Sequence, residues 1–176
     1  LRRIVALSSA EMLFDRHTAE SKRRRIDKLV SHEEQLRDLC LRRGITLSLI
    51  RPTLIYGSNA HASIDGIGEW LARRGWFPIA GRGLRQPIHA GDIAALMARL
   101  AARPVEGTFE IGGERLAYPD LVRRIASASG REVRLIRGPA GLFVFALRSA
   151  QRIGRLREVD PAALGLQQID QVVDDT

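Results

Sequence analysis

The stretch Ile45–Gly57 constrains the fold more than any other part of the sequence. Its first half, Ile45–Ile50, alternates and then runs apolar, which is typical of a buried strand. Arg51-Pro52 ends the predicted strand, because proline has no N–H for a β-ladder and restricts the residue before it. Leu54–Gly57 then leads into a polar loop. Ligands of open parallel sheets bind where strands end, so the stretch predicts a ligand-binding edge.

The residues before this stretch predict a strand and a long helix. Arg2–Ser8 has an apolar centre and reads as a strand. The helix has Asp15 or Thr18 as candidate caps, and Gly44 ends it. Strands joined by one helix are parallel as a rule, so the fold class is α/β. The apolar stripe of the helix is Ile26, Leu29, Val30, Leu36, Leu39 and Cys40.

Short strands and helices alternate after Gly57. Trp70, Trp76 and Phe77 are predicted to form a core rather than a platform for stacking bases. His89 is predicted to end an extended piece, and Asp92 to cap the next helix. The predicted strands are Trp76–Ile79, Gln86–His89, Gly107–Ile111 and Val133–Ile136; the predicted helices are Ile64–Arg74, Ile93–Ala102, one opened by Tyr118-Pro119-Asp120, and Gly141–Ile153.

Composition bears on partners and location. The net charge is +8, but of 28 basic residues only Lys22 and Lys28 are lysines, and aromatic residues make up 5%. An arginine bias of this kind more often reflects codon composition than function, and few aromatic side chains are present to stack on bases. We therefore expect an anionic small ligand rather than nucleic acid. The single cysteine, Cys40, excludes an internal disulfide and is predicted to be a buried thiol. We find no signal peptide and no apolar run long enough for a membrane span, and so expect a cytoplasmic protein without a membrane partner.

Three polar residues follow the first predicted strand. Ser8 and Ser9 stand at its carboxyl end, where a hydroxyl can bind a substrate oxygen. The alternative is a turn or cap serine. Glu11 lies at the same edge and could act as an acid or a base. The histidines share no ligand spacing, so no metal site is predicted.

Ordered motifs carry a resemblance to a known family. The segment LIRPTLIYG resembles the RPxxxYG segment of extended short-chain dehydrogenase/reductases, which include the nucleotide-sugar epimerases and dehydratases. Arg85–Ala94 is similar to that family's R-x-x-x-H-x-x-D-x-A, and Gly107–Gly112 to its G-x-Y-N-x-G. The match covers nearly all of residues 1–137. No phosphate-binding G-x-x-G-x-x-G turn occurs in the sequence, and the chain begins with Leu1 almost directly in a strand. We therefore expect the C-terminal part of a longer protein.

The resemblance implies an architecture and a function. Residues 1–57 would be the last strand–helix–strand unit of a Rossmann-like NAD(P)-binding domain. Residues 58–176 would form mostly a small α/β substrate-binding domain, with 86–102 packing back on the Rossmann part. The implied function is NAD(P)-dependent epimerase, dehydratase or reductase chemistry on a nucleoside diphosphate sugar, with a homodimer as one option. The implied cofactor is NAD or NADP.

The resemblance also assigns site residues. Ser9, Glu11 and Lys28 would be catalytic, and Lys28 would also contact the cofactor ribose. Arg85 would grip the substrate diphosphate, since its planar fork of donors suits phosphate oxygens. The remaining assignments are Ser8, Pro52 and Thr53 for the cofactor, and Tyr56 and His89 for the substrate.

One departure from the family pattern concerns its catalytic Y-x-x-x-K pair. Measured back from Arg51, the pair should fall near residues 24–29, where Arg24 precedes Lys28 by four residues. An arginine cannot shuttle protons at neutral pH. Either another group such as Glu11 replaces the tyrosine, or the protein is a catalytically inactive NAD(P)- or nucleotide-binding protein of the same fold. Lys28 could equally be an ordinary cation on the helix surface.

Overall fold

The computed structural model describes residues 2–14, 20–57, 62–152 and 162–174. The chain divides into two compact units. Unit 1 comprises residues 1–58, 86–114 and 171–176, and unit 2 comprises residues 59–85 and 115–170. The roles predicted for the two parts of the chain remain predictions.

The described residues form nine strands and seven helices, numbered here in chain order. The strands are β1 (Arg3–Leu7), β2 (Thr46–Pro52), β3 (Leu54–Tyr56), β4 (Trp76–Ile79), β5 (Leu84–Arg85), β6 (Pro87–His89), β7 (Gly107–Ile111), β8 (Leu116–Ala117) and β9 (Arg134–Arg137). The helices are α1 (Glu11–Phe14), α2 (Glu20–Arg43), α3 (Ala62–Arg74), α4 (Ala90–Ala102), α5 (Tyr118–Ala128), α6 (Ala140–Arg152) and α7 (Ala162–Leu166).

Unit 1 is built on a parallel sheet with strand order β1-β2-β7. The predicted parallel pairing of the first two strands is confirmed, with Val5 opposite Ser48, and Ser48 stands opposite Gly107 on the other side. β2 is the central strand, and Leu47, Leu49 and Ile50 are all buried. An almost continuous apolar run is what a strand covered on both faces requires.

The strand β2 runs through Pro52 instead of ending before it. Proline is accommodated at the last position because its carbonyl still accepts a hydrogen bond, from the Ala10 N–H at 2.9 Å. For the next residues, which lead toward the predicted polar loop, the sequence predicted no regular element. Leu54–Tyr56 is a short strand, β3, that pairs in parallel with β6. β2 and β3 thus belong to different sheets and are separated by the single residue Thr53.

The inward face of α2 is narrower than its apolar pattern predicts. Ile26 is buried, and Cys40 is the buried thiol that was expected. Val30 and Leu39, predicted to lie in the core, are 37% and 42% exposed. Glu33 takes an inward position instead, with only 5% of its surface exposed. Glu33 can occupy an inward position because it forms an ion pair with Arg51 of β2.

Unit 2 has its own core between α3, α5 and β4. Its buried residues are Ile67, Leu71, Phe77, Ile79, Val122 and Ala126. Trp70 packs against this core and donates its indole N–H to the carbonyl of Trp76 at 2.7 Å. The predicted core position is confirmed for Phe77 and Trp70, whereas Trp76 is half-buried and lies edge-on to the Trp70 ring. β4 pairs in parallel with β9, and β5 pairs antiparallel with β8.

Candidate functional site

The carboxyl ends of β1, β2 and β7 lie at one edge of the unit 1 sheet, because the three strands are parallel. Ser8 and Ser9 follow β1, Thr53 follows β2, and Gly112 and Gly113 follow β7. The fold therefore brings together the polar residues that the sequence placed at strand ends. This edge is where ligands of open α/β sheets bind.

Ser9 and Glu11 form a turn at this edge. The Ser9 hydroxyl oxygen accepts a hydrogen bond from the backbone N–H of Glu11 at 3.1 Å, which starts α1. Ser9 thus has the capping role that was its alternative, while its hydroxyl hydrogen can still be donated. The Glu11 carboxylate forms an ion pair with Arg25 of α2. The predicted acid or base is therefore held beside a guanidinium.

Arg24 and Lys28 lie on the exposed surface of α2. Lys28 makes no hydrogen bond or ion pair with the part of the chain that the structure describes. The side chain of Arg25, the next residue along α2, pairs with Glu11. Counting back from Arg51 along the sequence placed Arg24, one position earlier, where the family has its tyrosine. A spacing count along the sequence cannot decide between adjacent positions of a helix, since they point about 100° apart.

A charged cluster beside this edge was not predicted from the sequence. The Arg51 guanidinium donates to both carboxylate oxygens of Glu33, from Nε to Oε1 at 3.1 Å and from Nη2 to Oε2 at 2.6 Å. Its Nη1 donates to Glu110 Oε1 at 3.1 Å. Arg37 donates to Glu33 Oε2 at 3.1 Å and to Thr108 Oγ1 at 3.1 Å. The cluster ties α2 to β2 and β7.

The pKa values in this cluster follow from burial and pairing. Burial by itself raises the pKa of Glu33, but hydrogen bonds from Arg51 and Ser8 and the charges of Arg51 and Arg37 outweigh it, so the pKa is lowered. Hydrogen bonding to Glu33 raises the pKa of Arg51, against the effect of burial. Ser8 Oγ is buried near the Glu33 carboxylate without full hydrogen-bond geometry to any described residue. Glu33 and Arg51 are thus both charged at neutral pH.

Pro52 and Thr53, predicted to contact the cofactor, are engaged within unit 1. Pro52 is buried. The Thr53 hydroxyl donates to the backbone carbonyl of Gln86, and its N–H donates to the carbonyl of Ile111 at 3.0 Å. Both residues therefore fix the strand ends that form the edge. Their predicted contact with a cofactor stays a prediction.

Tyr56 and His89, predicted to bind substrate, are partners in the β3–β6 pair. Their ring centroids lie 5.2 Å apart with the rings 73° to each other, and Tyr56 is 40% exposed. His89 caps α4, because its Nδ1 accepts a hydrogen bond from the Gly91 N–H at 3.0 Å. Asp92, the predicted cap, lies inside the first turn. Gly57, with φ of +80°, passes so close to the His89 ring that no side chain fits there.

Arg85 lies in unit 2 and is 4% exposed. Its guanidinium donates to the backbone carbonyls of Leu84, Ile169 and Leu166 at 2.8, 2.7 and 2.6 Å. It also lies over the Tyr118 ring, 5.4 Å from the centroid. Burial raises the pKa of Tyr118, and the charge of Arg85 offsets only part of that rise. Arg85 thus fastens the end of α7 to β5, and its predicted contact with a diphosphate stays a prediction.

A cavity of about 270 Å³ opens in unit 2. It lies where the parallel strands β4 and β9 end, with Ile79 opposite Arg137 in the pairing. Two arginines contribute to its wall, which suits an anionic group. The lining residues are Ile79, Ala80, Gly81, Arg82, Arg137 and Gly138. From the sequence, Gly81-Arg82-Gly83 is predicted to be a flexible turn whose backbone could approach a nucleotide, whereas nothing singles out Arg137 among the other arginines.

Among the described residues, no group of three or more histidine, cysteine, aspartate or glutamate side chains could hold a metal ion. In the same part of the chain, no helix is both long and apolar enough to cross a membrane.

Comparison with known proteins finds similarity among solved structures only. No protein-family model and no curated protein matches the sequence. Among solved structures, the UDP-glucose 4-epimerase of Thermus thermophilus, a complex with NAD, matches with a TM-score of 0.60 at 17% identity. The match covers 78% of this chain and 51% of the epimerase.

Two further matches are of the same kind. The UDP-N-acetylglucosamine 4-epimerase of Bacillus cereus matches with a TM-score of 0.61 at 19% identity, over 79% of this chain and 53% of the epimerase. A dTDP-glucose 4,6-dehydratase of Streptomyces venezuelae, with NAD bound, matches with a TM-score of 0.59 at 20% identity. This match covers 79% of this chain and 48% of the dehydratase. The chain has the fold of these nucleotide-sugar enzymes. It spans about half of their length, and the resemblance predicted from the motifs is confirmed at the level of fold.

Proposed function

We propose that this chain is part of an NAD(P)-dependent enzyme that oxidises or reduces a sugar carbon of a nucleoside diphosphate sugar. The observation that carries the proposal is the edge of the unit 1 sheet, where Ser8, Ser9 and Glu11 follow one strand of a parallel sheet. The fold, shared with enzymes complexed with NAD or NADP, supports the same interpretation.

The residues at this edge fit a cofactor and a sugar. Ser8, whose buried hydroxyl lies beside the Glu33 carboxylate, would line the cofactor side of this edge. Lys28 would contact the cofactor ribose. Ser9 would donate its free hydroxyl hydrogen to the sugar, and the Glu11 carboxylate would accept the proton of the reacting sugar hydroxyl. When bound, the nicotinamide supplies hydride acceptance and donation.

Unit 2 would bind the anionic part of the substrate. The cavity walls contain Arg82 and Arg137, and a guanidinium can form two parallel hydrogen bonds with phosphate oxygens. Arg85 already donates to three carbonyls, so we assign the phosphate contact to the two cavity arginines before Arg85. Substitution of Arg82 and Arg137 should therefore affect substrate binding more directly than substitution of Arg85.

Ligand binding by the full-length protein tests the proposal. NAD(H) and NADP(H) affinity is measured by calorimetry, and turnover is measured with UDP-glucose, UDP-N-acetylglucosamine and dTDP-glucose. Arg82→Ala with Arg137→Ala should weaken sugar-nucleotide binding at least tenfold, since each lost charged contact is worth roughly 1.5–3 kcal/mol. NAD(P) affinity should not change. Arg123→Gln, in an exposed pair with Asp120, is the matched control. Failure to bind any cofactor would contradict the proposal.

The alternative is a nucleotide-binding protein of the same fold without catalysis. The observation that favours it is the exposed Arg24, four residues before Lys28, where the family pattern has its tyrosine. Cofactor binding without turnover of any nucleotide sugar would support this alternative. Turnover that is lost in Glu11→Gln would support the enzyme and identify its base.

A further inference from the structure

The helix α6 exposes large apolar side chains. Leu142 and Phe145 are 61% and 70% exposed, although they lie one turn apart on the same helix. The opposite side of α6 holds it to unit 2: Leu147 is 7% exposed, and the Phe143 ring packs against Gly138. The exposed pair therefore contributes little to the packing of unit 2.

Two arginines share this exposed face. With about 100° between successive residues of a helix, Leu142, Phe145, Arg148 and Arg152 fall within roughly a third of its circumference. Both arginines are exposed. Within the described part of the chain neither forms an ion pair, and α6 contains no acidic residue. The outer face of α6 is thus apolar in its first half and positively charged in its second.

We propose that α6 binds the surface of an anionic lipid bilayer. Apolar side chains that enter the boundary between head groups and acyl chains, next to arginines that meet lipid phosphates, are the pattern of a helix that lies in the membrane plane. The expectation of no membrane partner was based on the length of apolar runs. That criterion detects a helix that spans the bilayer but not one that lies on its surface.

Charge decides between this occupant and a second copy of the chain. A two-fold contact through the outer face of α6 would place Arg148 and Arg152 near the same arginines of the other copy. Like charges brought together at an interface oppose association. An anionic lipid surface offers the opposite charge together with an apolar interior.

The test is co-sedimentation of the full-length protein with vesicles. One vesicle preparation contains phosphatidylcholine alone, and the other contains equal parts of phosphatidylcholine and phosphatidylglycerol. We expect binding to the anionic vesicles only, weakened by added salt. Leu142→Ser with Phe145→Ser should abolish binding. Arg148→Gln with Arg152→Gln should weaken it roughly tenfold or more, from the contribution of each arginine near a charged surface.

Two matched controls isolate α6. Arg99→Gln with Arg103→Gln removes the same charge from exposed positions at the end of α4, and Leu41→Ser removes an apolar side chain that is 81% exposed on α2. Both should bind like the unchanged protein. No binding to anionic vesicles would overturn the proposal, as would equal binding by the α6 variants. If the unchanged protein does not bind anionic vesicles and the Leu142/Phe145 variant changes oligomeric state, the face belongs to a contact with a second copy, which would also overturn the proposal.

Discussion

Arg51 of β2 holds Glu33 of α2 by two parallel hydrogen bonds, and the two side chains are 16% and 5% exposed. The pair fastens the long helix to the central strand directly beneath the edge where Ser8 and Thr53 lie. The alignment of helix and strand at the candidate site thus depends on a charged contact as well as on apolar packing.

Removing one partner of this pair should destabilise unit 1 strongly. Arg51→Leu leaves Glu33 buried without its main counter-charge, which costs about 3–5 kcal/mol. Arg42→Leu, from an exposed pair with Asp38, should cost less than about 1 kcal/mol. Both tryptophans lie in unit 2, so hydrogen exchange of the β1 and β2 amides is the appropriate measurement for unit 1. Equal effects of the two substitutions would contradict the role given to Arg51.

Unit 1 should lose stability in acid because of Glu33. Its folded-state pKa is lowered from the usual 4.5, so its carboxylate stabilises the fold above that pH. This contribution is lost as the pH falls below about 4.5 and through the lower folded-state pKa. Glu33→Gln should be less stable than the unchanged protein at pH 7 but should show a flatter decline between pH 5 and about 2. Parallel declines in both proteins would assign the acid sensitivity to other carboxylates.

Arg85 should matter for stability before it matters for binding. Arg85→Ala leaves the carbonyls of Leu84, Leu166 and Ile169 without their donor, and we expect a loss of about 3 kcal/mol or more. Tryptophan fluorescence during urea denaturation reports this loss, since Trp70 packs against the unit 2 core. Arg82→Ala, at an exposed cavity position, is the control and should leave the midpoint unchanged. A weaker sugar-nucleotide affinity with full stability would instead return Arg85 to its predicted role.

His89 should be replaceable by another capping residue. His89→Ala removes the acceptor for the Gly91 N–H and should cost about 1 kcal/mol. His89→Asn keeps an acceptor at the same position and should recover most of that loss. Hydrogen exchange of the first turn of α4 measures both. If the two variants are equally stable but bind sugar nucleotide more weakly, the histidine acts on the ligand and not as a cap.

Sequence patterns anticipated most of the regular elements. The apolar runs of β1, β2 and β7 and the periodic helices were readable because each buries a repeating set of side chains. The two-residue strands β5 and β8 were missed, since they have no periodicity to detect. Leu54–Tyr56 was missed as a strand because it pairs with β6, whose residues follow 33 positions later in the sequence and leave no local pattern.

The candidate site was predictable in part. Ser8 and Ser9 at a strand end follow from the chain itself. The inward Glu33 does not, because its burial depends on Arg51 and Arg37, and pairing between distant charges leaves no local pattern. Arg85 shows the same limit: a motif indicates an arginine fork, but carbonyl oxygens and phosphate oxygens both accept from it. The carbonyl contacts of Arg85 become visible only in the fold.

The division of unit 1 among three stretches of chain has a consequence for synthesis. The amide oxygen of Gln86 accepts its hydrogen bond from the N–H of Val173, at 2.6 Å. β7, which completes the sheet, follows β2 by more than 50 residues. During synthesis, β1 and β2 therefore leave the ribosome before their sheet partner β7. The hydrogen bond between Val173 and Gln86 forms only after Val173 has emerged. Because such distant pairings slow folding, β2 would remain exposed to other nascent strands during this interval.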